Sequence, residues 1–160
     1  MAIVQSMPTN FKTGLLSCAH NFSPSNRAVT ASTSDVFYIA LYTSSATLDN
    51  TTLIYDVATP GQITNTSGSS YVAGGIALTI ATTPTGDTVA NAGYISFNPA
   101  VWTIADFTTR GALIYNSSNG NLAVAVLNFG VDKTVSGGGT FTITFPTYAT
   151  NTTVAIVQLS

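Results

Sequence analysis

The chain has 160 residues, of which four are Lys or Arg, six are Asp and none is Glu, so only 6% are charged while 45% are hydrophobic. A soluble domain usually carries about a quarter charged residues; here Thr, Ser and Asn fill the polar share. Four scattered cations, Lys12, Arg27, Arg110 and Lys133, form no basic face, which argues against nucleic-acid binding by counterion release and against a polybasic membrane contact.

The length suits one domain with a core of its own. A single cysteine, Cys18, allows no internal disulfide, so the fold is expected to be independent of an oxidising compartment. The first residues, Met1 to Pro8, lack a basic segment followed by an apolar run. The expectation is synthesis in a cytoplasm without a cleaved signal. No stretch approaches the roughly 20 apolar residues of a membrane span.

Taken in chain order, the first element is a short helix. Thr9-Asn10 is placed to cap a turn from Phe11 to about Ala19, with Phe11, Leu15 and Cys18 on one stripe. Asn21 to Ser34 reads as a loop. The apolar run Val36 to Tyr42 predicts a strand buried on both faces. Leu53 to Val57 is a short strand or turn, stopped by Pro60-Gly61. Tyr71 to Gly75 ends in paired glycines that suit positive φ or a close backbone approach. Ile76 to Ala81 is a strand, and Thr82 to Asn91, with Pro84 and Gly86-Asp87, is a turn region.

Tyr94 to Phe97 alternates. Val101 to Phe107 is a strand placing Trp102, Ile104 and Asp106 on one face. Arg110 to Tyr115 is a further strand, and Asn119-Gly120 signals a hairpin to Leu122–Phe129. Asp132 to Gly139 reads as a glycine-rich hairpin tip. Phe141 to Phe145 alternates strictly, with Thr142 and Thr144 outward. Thr153 to Leu159 is the last strand. Eight or nine short strands and one helix at most predict an all-β fold, an antiparallel β-sandwich of jelly-roll or immunoglobulin-like type. The division is residues 1–22 as an N-terminal arm or short helix and residues 23–160 as a single sandwich domain.

Candidate chemistry is sparse. Cys18 and His20 are too few for a structural zinc site. The aspartates Asp35, Asp49, Asp56, Asp87, Asp106 and Asp132 form no calcium-loop spacing. There is no Gly-x-Ser-x-Gly elbow for a serine nucleophile, and Gly137-Gly138-Gly139 lacks the Lys of a phosphate loop. Trp102, Tyr94 and Tyr115 are candidates for stacking on a sugar, but core packing is the favoured role. Asn-x-Ser/Thr triplets begin at Asn21, Asn50, Asn65, Asn116 and Asn151; in a chain this rich in Asn, Ser and Thr they are expected by chance. No catalytic, cofactor-binding or metal residue is assigned.

Isolated β-proteins protect sheet edges with charges, prolines or bulges. With so few charges, the edges here are expected to be covered by loops or by other subunits. Ile3, Val4, Phe11 and Leu15 need burial, which makes the N-terminal arm the candidate interface: a strap reaching a neighbour.

Several segments together carry a resemblance: Phe11–Ser17 with Asn21-Phe22, Phe37–Leu48, Ser70–Gly75, Arg110–Asn116, and Ala123–Gly130 with Asp132-Lys133. In this order, over roughly residues 11–146, the chain resembles small virion-associated structural proteins of tailed bacteriophages. The resemblance implies a particle component and no enzyme. A capsid decoration (cement) protein in the virion, contacting the major capsid protein and copies of itself, is the first expectation. A tail, neck or fibre component is the alternative. No cofactor, nucleic acid or membrane is implied.

Overall fold

The computed structural model describes residues 2–23, 34–64, 68–89, 91–146 and 156–159. Among them lie one helix, α1 (Thr9–Leu16), and seven strands: β1 (Phe37–Tyr42), β2 (Ile76–Leu78), β3 (Ile80–Asp87), β4 (Ala92–Phe97), β5 (Ala100–Asn116), β6 (Leu122–Ile143) and β7 (Val157–Leu159). All pairings are antiparallel. One sheet has the order β2-β1-β5-β6 and the other β3-β4-β7, so the chain is all-β with one short helix.

The chain changes sheet at three places, between β6 and β7 and at two tight crossings, Thr79 between β2 and β3 and Asn98-Pro99 between β4 and β5. The Asn98 N–H donates to the Thr79 carbonyl at 2.9 Å and holds the two crossings together. β3 is an edge strand, which is why it tolerates Pro84, a residue without a ladder donor. The register of β3 against β4 slips between Thr82 and Thr85, beside that proline. The segment expected as a turn is therefore largely strand, and the turn lies beyond the Asp87–Ala92 pair.

Both faces of β1 are buried, as its unbroken apolar run predicts. Phe37, Ile39 and Leu41 face a core shared with Ile95 and Phe97 of β4 and Val157 of β7. Ala40 and Tyr42 point the other way, into a second cluster with Ile3, Leu48, Leu113 and Val126. Tyr71 fastens this strand from below: its hydroxyl accepts the Leu41 N–H at 2.8 Å. Gly75 lies against the same strand, at φ +80°. A Cβ there would overlap the Ile39 carbonyl, so the paired glycines serve the close approach read from the sequence.

β5 and β6 depart most from expectation. Val101–Phe107 and Arg110–Tyr115 are one strand of 17 residues, and its partner runs for 22. They form a single hairpin closed by Asn116↔Leu122. The Asn119-Gly120 signal is correct in place, although positive φ falls on Gly120 and Asn121. Asp132–Gly139 is no hairpin tip. It lies inside β6, and Gly137 and Gly138 (φ +66° and +75°) build a bulge between the pairs Ala105↔Gly139 and Phe107↔Val135. A second bulge opposite Arg110 contains Gly130 at φ +78°.

These irregularities also change which side chains share a face. A register shift between Trp102 and Ala105 reverses the alternation. Trp102, Ala105 and Phe107 turn inward and Ile104 and Asp106 turn outward, correcting the face expected from strict alternation.

α1 starts two residues earlier than predicted and ends at Leu16. Pro8 occupies its N-cap and no side chain caps it, so Thr9-Asn10 is inside the helix. Phe11 and Gly14 are its buried residues. Leu15 is partly buried against the core, and Cys18 lies past the helix end, exposed, with φ +57°. The expected Phe11/Leu15/Cys18 stripe is thus only Phe11 and Leu15. The predicted loop from Asn21 to Ser34 falls mostly outside the described residues, as do residues 153–155 of the last predicted strand.

Candidate interaction surface

The N-terminal arm binds its own sheet. Ile3 forms a parallel bridge with Leu48, and the Val4 N–H donates to the Leu48 carbonyl at 2.8 Å. Ser6 and Val126 exchange backbone bonds at 2.8 and 3.1 Å. The Asn128 amide donates to the Ile3 carbonyl at 2.7 Å. Ile3 sits over Gly111, where a Cβ would come within 3.0 Å of its methyl groups. Phe11 is fully buried beside Phe22 and His20. Of the four interface candidates, Ile3 and Phe11 are buried within the chain and Leu15 is partly buried, while Val4 is 52% exposed. The need for burial read from these residues is therefore met in cis, so Ile3 and Phe11 offer a neighbour nothing.

Together with the Leu53–Ile54 segment, which bridges to Leu122, the arm covers the inner part of the β6 edge. Among the described residues no strand pairs with the outer part of β6, from Phe129 to Ile143, on the side away from β5. This outer ribbon has two unlike faces. One carries Trp102, Ala105, Phe107, Val135 and Phe141, which pack with Tyr71 and Phe129. The opposite face exposes Val101, Thr108, Thr134 and Thr142, with Ile104 53% exposed and Asp106 as its carboxylate. The hydroxyls of Thr108 and Thr134 bond across the strands at 2.8 Å. Asp132 at the bulge pairs with Arg110 at 2.6 Å. Composition pointed to such a neutral hydroxyl surface, but not to this ribbon, because a Gly-rich bulge and a Gly-rich turn share one signature.

A groove of about 730 Å³ runs between the arm and the curl of β6, lined by Met7, Leu127, Phe129, Phe141 and Phe145 among others. Its one charged lining residue among those described is Lys133. Among the described residues its lining has no carboxylate or imidazole. Among the described residues no three His, Cys, Asp or Glu side chains come together as a metal site. No helix among them is long and apolar enough to cross a membrane.

The sugar-stacking candidates divide. Trp102 and Tyr115 are 2% and 5% exposed and present no ring face. Tyr94 is half-buried beside Leu15, Phe22 and Pro84. Two of the glycosylation triplets begin at buried residues, Asn21 and Asn116. Asn50 is exposed, and Asn65 and Asn151 lie outside the described residues.

One buried polar cluster was not foreseen. Asn116, fully buried at the end of β5, donates from Nδ2 to Asp35 Oδ2 at 2.7 Å and contacts His20 Nδ1 at 3.1 Å. Its Oδ1 accepts the Ser118 N–H at 3.1 Å, which fixes the amide orientation. Asp35 Oδ2 also accepts the Asn21 N–H at 2.8 Å. Burial lowers the His20 pKa, and the Asp35 carboxylate opposes that shift. These residues stand 15 and 81 positions apart along the chain, so no local pattern announces them.

Comparison with family models, with curated proteins and with solved structures finds no match.

Proposed function

We propose that this chain is a structural component of a tailed-bacteriophage particle, a decoration protein that binds the major capsid protein and stabilises the shell. The observation that carries this reading is the outward face of the β5–β6 ribbon, where Val101, Ile104, Thr108, Thr134 and Thr142 are exposed. Apart from the carboxylate of Asp106, this face is made of hydroxyls and β-branched side chains, which limits the desolvation penalty that charged groups bring to an interface. The two sheets, sharing one apolar core, are read as an antiparallel sandwich of the jelly-roll or immunoglobulin-like kind. Such a scaffold presents the ribbon rigidly. In this reading the chain catalyses nothing and requires no cofactor, nucleic acid or membrane. Its location is the virion, with copies of itself as further neighbours.

A tail, neck or fibre position is the alternative. Its glycan-binding version is weakened because Trp102 and Tyr115 are buried. The test is particle stability. Particles stripped of this protein are expected to lose heat resistance and recover it when the purified chain is added back. Equal heat resistance with and without the chain contradicts the cementing role.

A further inference from the structure

The N-terminal helix packs against an imidazole, that of His20, whose surroundings accept only the neutral form. Asn116 Nδ2 donates to both Asp35 and His20 Nδ1, so Nδ1 is an acceptor and the imidazole proton resides on Nε2. Turning the Asn116 amide over would aim its oxygen at the Asp35 carboxylate and forfeit the bond from Ser118. The site therefore has no acceptor to offer a proton on Nδ1. On the other side the ring lies against α1. A Cβ on Gly14 would come within 2.8 Å of Nε2, and the Phe11 ring centroid is 4.8 Å away. Nε2 is buried and finds no hydrogen-bond partner among the described residues.

We propose that His20 is an acid-operated latch: proton uptake at Nδ1 releases α1 from the core while the sheets stay folded. The added proton points at the Asn116 NH₂ group, donor against donor, so the imidazolium reaches solvation only by leaving its seat. Leaving that seat removes the wall on which Phe11 and Gly14 rest. The approach to β1 contributes Asp35, the end of β5 contributes neutral Asn116, and α1 contributes Phe11 and Gly14, with Lys12 exposed. Phe22 stacks on the ring at 6.3 Å. Asp35 is the only charged neighbour among the described residues, and it favours the imidazolium. Its attraction is outweighed by burial, the larger influence on this group.

The sign follows from linkage. The folded pKa lies below the unfolded value of 6.5. The latch is therefore fully closed above about pH 6.5 and is lost as pH falls through that value towards the folded pKa. The opening equilibrium rises by up to about tenfold per pH unit in that interval. The experiment is pulsed hydrogen exchange on the whole chain between pH 7.5 and 4.5, corrected for intrinsic rates. It is paired with an NMR titration of His20, the only histidine. Amides of α1 and its end, such as Ser17 and Ala19, are expected to lose protection as the ring titrates, while Leu113 and Val124 keep theirs. In His20→Gln the acid step should vanish. Unchanged α1 protection as the ring titrates, or loss of α1 and the central strands together, overturns the proposal. So does an acid step that persists in His20→Gln.

Discussion

Single glycines decide how closely the strands approach. Gly75 combines positive φ with direct contact to the Ile39 carbonyl, whereas Gly137 has positive φ in open space. Gly75→Ala should therefore destabilise by more than about 2 kcal/mol, and Gly137→Ala by only about 1 kcal/mol, the backbone term alone. Denaturant midpoints of the two variants measure the difference; equal losses would contradict the close approach. The buried phenols give a second test. Burial raises the pKa of Tyr42, Tyr71 and Tyr115 well above the usual value near 10. The unfolded chain gives up these protons first. Their contribution is fully present below about pH 10 and is lost as pH rises above it. Melting temperature should fall steeply above pH 10 while phenolate absorbance lags behind that of free tyrosine. At this scale the Gly74-Gly75 contact was legible because two adjacent glycines after a strand-like run have few other uses. Gly111 was not, since its reason for being glycine, the Leu127 carbonyl and Ile3, lies elsewhere in the chain.

At the level of elements, the β5–β6 ribbon explains how a chain with so little charge protects an edge. Bulges that bend an edge strand discourage further pairing, and β6 has them on both sides of Lys133 and Thr134. The arm and the Leu53–Ile54 segment cover the inner edge. The ion pair at the first bulge is a small matter: Arg110 and Asp132 side chains are 33% and 44% exposed. Asp132→Ala should cost less than about 1 kcal/mol in denaturant unfolding at low salt. A larger loss would mean that the ion pair, and not Gly130, holds the bulge. The unbroken apolar run of β1 and the alternation of Phe141–Phe145 were readable from the sequence. The joining of two predicted strands into β5, and the conversion of a predicted turn into a bulge, were not. Positive-φ glycines mark both turns and bulges, and only the partner strand distinguishes them. The reversal of Trp102, Ile104 and Asp106 has the same origin, because one slip in register moves every later side chain to the other face.

For the whole molecule, the sequence argument for an all-β chain with one short helix agrees with the structure, and its argument for a trans-acting arm meets Ile3 and Phe11 already buried at home. That shifts the expected contact surface from the arm to the ribbon, whose outward face exposes Val101, Ile104, Thr108, Thr134 and Thr142 beside Asp106. Stability and association should then depend little on ionic strength, because screening acts on charges that are mostly missing here. Unfolding free energies at low salt and at about 1 M NaCl are expected to agree within about 1 kcal/mol. The central claim is that this chain is a repeated part of a capsid shell. The most direct measurement is its copy number in purified particles, by quantitative mass spectrometry against the major capsid protein. The account predicts a stoichiometry comparable with that of the shell subunit; absence from the particle, or the few copies of a single vertex or tail, would contradict it.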